Sequence, residues 1–255
     1  MNEIKPTKSI GVPTPLVDGP EKVSGKAQYS ADFMPSDYLV GRIFRSPVSH
    51  AEIINVDISA AQALPGVKAV ITGDETDETF GILPVARFEH PLARDKVRYK
   101  GEPVACVAAV DVETAQKAVD LIKFKYKELP AYFTSQEAMA EGAVNIHDHR
   151  ECNIEREVDY DLGEVDEGFE AADLVMEETF NCAEVAQSQM EPHAAIAEYD
   201  PTRDFMTIHA STQVPYYGHL MLAKVLKMEE SQIRMIKPFV GGGFGCRTEC
   251  LNVEL

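Results

Sequence analysis

The chain has 255 residues, 45% hydrophobic and 26% charged, the composition of a folded globular protein with ample material for a core. Its 24 basic and 42 acidic residues leave a net charge of −18. That balance argues against nucleic-acid binding and against anionic membrane surfaces as partners.

Met1 to Pro13 carries Lys5 and Lys8 but no apolar stretch, so it does not read as a secretory signal. No run reaches the roughly eighteen apolar residues a membrane span needs. Gly11 to Asp32 reads as irregular, broken by Pro13, Pro15, Gly19 and Pro20. Tyr38 to Arg45 is predicted as a strand ending at Ser46-Pro47, followed by a short apolar strand over Ile53 to Val56. Ile58 to Leu64 is a short alanine-rich helix stopped by Pro65-Gly66, and Val67 to Thr72 returns as a strand. Pro103 to Val110 is continuously apolar, as a strand covered on both faces would be. Asp111 is placed to cap a helix whose apolar positions Ala115, Ala118, Val119 and Ile122 keep a 3.6-residue period. Phe124 and Tyr126 then alternate with Lys123, Lys125 and Lys127 in a strand with one solvated face, closed by Leu129-Pro130. Strand, helix and strand together predict an α/β layer that closes near residue 130.

Residues 131–160 read as a polar, acidic connecting segment containing Gly142. A second α/β unit is predicted from about Val165, with a short helix over Phe169 to Ala172 and a strand over Leu174 to Phe180. Two more strands, Ala194 to Tyr199 and Phe205 to Ala210, flank the turn Asp200-Pro201-Thr202-Arg203-Asp204. Pro215 suits the first turn of a helix whose apolar face is Leu222, Val225 and Leu226. Ile233 to Val240 is a strand that delivers Gly241-Gly242-Gly243-Phe244-Gly245-Cys246-Arg247. Glycine admits positive φ and lets a ligand reach the main chain with no Cβ in the way. The loop therefore reads either as a tight turn or as a cradle of N–H groups for an anion or a polar cofactor edge. It is not a dinucleotide fingerprint, because Cys246 stands where Gly241-x-Gly243-x-x-Gly needs its last glycine. Glu249 to Leu255 resumes a helical pattern and stops without a cap, which reads as a chain cut at Leu255.

Few single residues stand out. His147-Asp148-His149 looks like a metal pair but lacks a further ligand at recognisable spacing, and reads as a surface loop. His193 reads as a packed, hydrogen-bonded histidine. Cys106, Cys152, Cys182, Cys246 and Cys250 are an odd number with no framework spacing, as expected of reduced thiols in the cytoplasm. Cys246 and Cys250 are four apart, too little to define a metal or iron–sulfur site, and read as pocket lining and packing. Gln213 alone reads as a cap for the helix at Pro215.

Several segments carry a family resemblance. Thr14-Pro15-Leu16-Val17-Asp18-Gly19 and Lys22-Val23-Ser24-Gly25-Lys26-Ala27-Gln28-Tyr29 resemble the start of molybdenum hydroxylase large subunits. So do Arg45-Ser46-Pro47 with His50-Ala51, Tyr99-Lys100-Gly101-Glu102-Pro103-Val104-Ala105, and Met190-Glu191-Pro192-His193. The glycine loop is similar to the cofactor loop of the same xanthine oxidase family, and the resemblance runs in order over nearly the whole chain. Within the family the chain looks most like the large (alpha) subunit of 4-hydroxybenzoyl-CoA reductase. Pro91 to Tyr99, Thr212 to Tyr217, and Ile236-Lys237-Pro238-Phe239 carry that finer likeness.

The resemblance implies a mixed α/β fold. An opening segment and hammerhead domain would occupy 1–130, a connecting segment 131–160, and the start of the molybdopterin-binding domain 161–255. It implies molybdopterin cytosine dinucleotide as cofactor. Gln213 would match the family glutamine whose amide approaches an oxo ligand of molybdenum, and Gly243, Phe244 and Gly245 the loop at the molybdenum end of the pterin. No catalytic residue and no protein metal ligand is expected here, since the family's general-base glutamate lies in a later loop. Iron–sulfur and FAD partner subunits, ferredoxin as outside donor, and a hetero-oligomer follow from the same likeness. The reaction it implies is reductive dehydroxylation of the aromatic acyl-CoA 4-hydroxybenzoyl-CoA. The alternatives are oxidative hydroxylation of an aldehyde or N-heterocycle, and a non-catalytic fragment that only contacts partner subunits. Purine enzymes carry Gly-Lys-Glu where this chain has Cys246-Arg247-Thr248, which puts purine recognition in doubt.

Overall fold

The computed structural model describes residues 11–82 and 87–248. The predicted helix over Glu249 to Leu255, with Cys250, lies outside them. In chain order the elements are α1 (Gly19–Val23), β1 (Val40–Arg45), β2 (Ala51–Asp57), α2 (Ser59–Gln62) and β3 (Val67–Thr72). Then come β4 (Lys96–Val97), β5 (Pro103–Ala109), α3 (Val112–Leu121), β6 (Lys123–Glu128) and α4 (Ser135–Ala138). The second half holds α5 (Val165–Glu170), β7 (Ala195–Asp200), β8 (Phe205–Ala210), α6 (Pro215–Leu226) and β9 (Ile233–Ile236).

Strand β5 organises the first half. With Val104, Ala105, Val107 and Ala109 all fully buried, it can only sit at the centre of a sheet, and it pairs antiparallel with β1 on one side and β3 on the other. Helix α3 lies on that sheet through Ala115 and Ala118, small side chains that let it approach Ala61 of α2 and Val70 of β3, with Ile122 just past its end in the same cluster. Asp111 caps the helix as predicted, its Oδ1 accepting the Thr114 N–H at 2.7 Å.

The predicted single α/β layer resolves into two antiparallel sheets. β6 follows β5 across α3, yet pairs with β2 in a second sheet ordered β4-β2-β6. The reason lies in its pattern. Lys123, Lys125 and Lys127 need water, so β6 takes an edge and turns Phe124 and Tyr126 toward Phe44 and Val56. Phe44 and Phe124 meet edge to face at 5.8 Å.

In the second half, β7 and β8 form the predicted hairpin, paired from Ala195↔Ala210 to Asp200↔Phe205. Asp204 takes the left-handed turn position at φ 49°. Helix α6, with Pro215 in its first turn, crosses from β8 to β9, which pairs parallel with β8. The buried face of α6 is Gly218, Leu222 and Ala223, while Leu226 is partly exposed. Gly218 lets Met235 pack close, since a Cβ would lie 2.7 Å from Met235 Sδ and push that side chain aside. Strand β9 ends at Ile236, earlier than predicted, because Pro238 has no N–H to donate. Phe239 then bridges to Tyr29, its N–H donating to Gln28 O at 3.2 Å. Phe33 stacks on His209 at 4.8 Å, so residues 28–33 run along the β7-β8-β9 sheet.

Two predicted elements differ. Leu174 to Phe180 forms no strand: no described segment pairs with it, and Leu174, Met176 and Phe180 are exposed. Apolar alternation supplies β-propensity, but a strand also needs a free edge to join. The short helix is Val165–Glu170, upstream of the predicted Phe169 to Ala172. The irregular opening also contains the single-turn helix α1.

Candidate functional site

The glycine loop leaves β9 and is tied down at both ends. At the near end, the Gly241 N–H donates to Glu191 Oε2 at 2.6 Å. At the far end, Arg247 is fully buried, its Nη1 donating to Ser211 O at 2.7 Å and its Nη2 to Glu191 O at 2.5 Å. Between these anchors Gly242 (φ 104°), Phe244 (φ 50°) and Gly245 (φ 89°) take left-handed conformations. A non-glycine residue there is strained, and such strain collects at ligand-binding turns. Among the described residues, the N–H groups of Gly242, Gly243, Phe244 and Gly245 donate to nothing. Successive unused donors beside left-handed residues are the kind of backbone that can cradle an anion.

Gln213 stands over this edge. Its backbone N–H donates to Arg247 O at 2.9 Å, and its side chain lies on Gly243, where a Cβ would come 2.5 Å from Gln213 Cδ. Thr248 Oγ1 donates to Gln213 Oε1 at 3.4 Å, which leaves the amide N–H groups as the outward donors. Gln213 does not cap α6. That position is Val214, whose N–H is taken by Thr212 Oγ1 at 3.1 Å. Of the predicted site residues, Gln213 and Gly243 are in contact, while Phe244 turns its ring outward and is 72% exposed beside Gly245. The arrangement is an open wall.

Around the wall, Cys246 folds its thiol back onto the loop, donating to Gly243 O at 2.9 Å. His193 Nε2 lies 3.9 Å from that sulfur and 3.3 Å from Gln189 Nε2. Burial pushes the His193 pKa down, and the Arg247 charge adds to the shift. Glu191 and Arg247 were not singled out as site residues by sequence reasoning. The only signals were Glu191's place in the Met190–His193 segment and Arg247's departure from the purine pattern.

A more enclosed cleft, about 310 Å³, lies elsewhere, between the first sheets and the connecting segment, lined by Phe88, Arg98, Tyr99, Glu102, His147 and His149 among others. The loop's chemistry outweighs its shape here, because none of the wall residues lines that cleft. His149 lies tilted against Phe88 with ring centres 4.3 Å apart, and Asp148 pairs with Lys96 at 2.5 Å. Among the described residues no group of three or more His, Cys, Asp or Glu side chains could hold a metal ion. Nor is any described helix long and apolar enough to cross a membrane.

The fold is of mixed α/β class, and comparison with known proteins places a cofactor-binding domain over the half that carries the loop. Residues 24–130 match the aldehyde oxidase and xanthine dehydrogenase a/b hammerhead domain, and residues 146–255 match the molybdopterin cofactor-binding domain. The chain is 36% identical over 240 residues to the nicotinate dehydrogenase large molybdopterin subunit of Eubacterium barkeri, covering 93% of this chain and 55% of the relative. It is 34% identical over 239 residues to a probable xanthine dehydrogenase subunit of Bacillus subtilis, covering 93% of this chain and 31% of the relative. Among solved structures, quinoline 2-oxidoreductase from Pseudomonas putida 86 superposes with a TM-score of 0.85 at 31% identity, over 95% of this chain and 32% of that one. Domain by domain, most of the chain thus matches the xanthine oxidase family of molybdenum-binding large subunits. It spans about half the length of the first of these relatives and about a third of the other two.

Proposed function

We propose that this chain supplies one wall of the molybdopterin site in a cytoplasmic, multisubunit oxidoreductase that acts on an aromatic or N-heterocyclic carbon. The observation that carries the reading is Gln213 held over a loop with four unused N–H donors. These residues fit the cofactor. The N–H edge suits the polar, anionic rim of a pterin, and Gly243 lacks the Cβ that would displace Gln213. When bound, the cofactor would supply two-electron redox chemistry and oxygen exchange with water. The chain's own part is to orient it. Gln213 offers an amide N–H toward the metal end, Thr248 keeps that amide in one orientation, and the exposed ring of Phe244 gives a planar substrate an apolar face. Preorganised donors of this kind need no rearrangement as charge develops during reaction.

For the substrate, oxidative hydroxylation of an N-heterocycle is the leading reading, supported by the nicotinate and quinoline enzymes among the relatives. Reductive dehydroxylation of 4-hydroxybenzoyl-CoA, with ferredoxin as donor, is the second reading, supported by the segments Pro91 to Tyr99, Thr212 to Tyr217 and Ile236 to Phe239. In both, iron–sulfur clusters and FAD reside on partner subunits, and molybdopterin cytosine dinucleotide is the cofactor form. The test is a dye-coupled assay of the purified complex on nicotinate, quinoline, an aldehyde and 4-hydroxybenzoyl-CoA. Turnover of a heterocycle supports the first reading. Dye oxidation that depends on 4-hydroxybenzoyl-CoA alone replaces it with the second.

A further inference from the structure

We propose that Glu191 and Arg247 form a single positioning clamp, which fixes both ends of the glycine loop and, through the Arg247 carbonyl, the backbone of Gln213. Its purpose rests on the cofactor reading above, but its geometry does not.

One carboxylate oxygen serves both ends. Glu191 Oε2 accepts the Gly241 N–H at 2.6 Å and lies 3.4 Å from Arg247 Nη2, six residues further along the loop. The guanidinium also gathers two other segments, donating to Ser211 O at 2.7 Å and to Glu191 O and Pro192 O at 2.5 and 3.3 Å. Its own carbonyl accepts the Gln213 N–H at 2.9 Å and the Thr212 hydroxyl at 3.5 Å. Three stretches that are distant in sequence, 190–193, 211–213 and 241–247, therefore meet at one buried cation.

The residue types match that task. Arginine carries a rigid fork of donors that reaches three carbonyls and a carboxylate at once, whereas a lysine ammonium is a single point. Glycine is needed at 241, because a Cβ there would lie 2.6 Å from Glu191 Cβ and push the carboxylate out of reach. Within the loop, the Cys246 thiol and N–H bond Gly243 O and the Thr248 N–H bonds Gly245 O, which shapes the loop without attaching it to the protein. Besides the clamp, attachment comes from the contact between Gly243 and Gln213 and from two long bonds, Cys246 Sγ to His193 Nε2 at 3.9 Å and Thr248 Oγ1 to Gln213 Oε1 at 3.4 Å.

The test is made on the full 255-residue chain, by amide hydrogen exchange and by alkylation of Cys246 with iodoacetamide. In wild type the Gly241 amide is protected, while those of Gly242, Gly243, Phe244 and Gly245 exchange near solvent rates. In Glu191→Gln, which keeps the side-chain shape but removes its charge, Gly241 exchanges about tenfold faster. Cys246 is alkylated several-fold faster in that variant, with the β5 amides and the exposed Cys152 and Cys182 unchanged as controls. Arg247→Lys speeds the Gln213 amide, and the double variant is no faster than the worse single one, as expected of one device. Wild-type exchange at Gly241 as fast as at its neighbours overturns the proposal, even if the variants fail to fold. So does a Glu191→Gln variant indistinguishable from wild type, or independent effects that multiply in the double variant. Since every reading is made without molybdenum, absence of molybdenum from the complex that contains this chain would defeat the cofactor reading and leave the clamp standing.

Discussion

Gly243 and Gln213 touch at a distance only glycine allows: a Cβ at Gly243 would lie 2.5 Å from both Cδ and Oε1 of Gln213. Gly243 does not have positive φ, so alanine is acceptable to the backbone there and unacceptable only to the glutamine. Gly243→Ala should therefore swing the Gln213 amide off its position and leave the fold in place. The expected result is a loss of about 100-fold in molybdenum-dependent turnover, the scale of an ångström-sized misplacement, with little change in melting temperature. Steady-state kinetics and a thermal melt on one preparation check it.

Helix α6 and strand β8 carry Gln213 between them, and Leu222 is the residue that packs the helix down, at 1% exposure among Ile208, Ala210 and Ile233. Leu222→Ala should cost about 3 kcal/mol, from the lost transfer energy and the cavity left behind. Leu226→Ala, at the exposed end of the same helix, should change stability by under about 0.5 kcal/mol. Urea denaturation of the two variants separates a packing role from a mere helix effect.

His90, His147 and His193 all have pKa values pushed below the usual 6.5. The first cause in each is burial, reinforced by Arg94 and Arg98 at His90, by Arg98 and His149 at His147, and by Arg247 at His193. The unfolded chain then binds more protons than the folded one once the pH drops below about 6.5. These histidines therefore lower stability progressively as pH falls from 6.5 toward their depressed folded values, and have no effect above it. Burial raises the Glu102 pKa, which acts in the opposite sense above the usual carboxyl value. Melting temperatures at pH 7.5 and 5.5 should differ, and His193→Gln should narrow the gap.

The hammerhead half was legible because its signals are local. Asp111 before an alanine-rich period and lysines alternating with Phe124 and Tyr126 specify elements through near neighbours. What pattern could not give was the partition of β5 and β6 into two sheets, which depends on which strand can be wet on one face. Leu174 to Phe180 has strand-like residues and still forms no strand, since an edge to pair with is a tertiary fact. At the site, Gln213, Gly243, Phe244 and Gly245 were legible through family resemblance, not through their spacing. Glu191 and Arg247 escaped because a buried ion pair 56 residues apart leaves no local trace.

The central claim is that the loop and Gln213 bind molybdopterin, and the most direct measurement is the molybdenum and pterin content of the purified complex that contains this chain. Molybdenum and pterin should both be present in that complex, with a clear loss of both in Gly243→Ala. Absence of molybdenum from the wild-type complex, or full occupancy in Gly243→Ala with unchanged turnover, would contradict it.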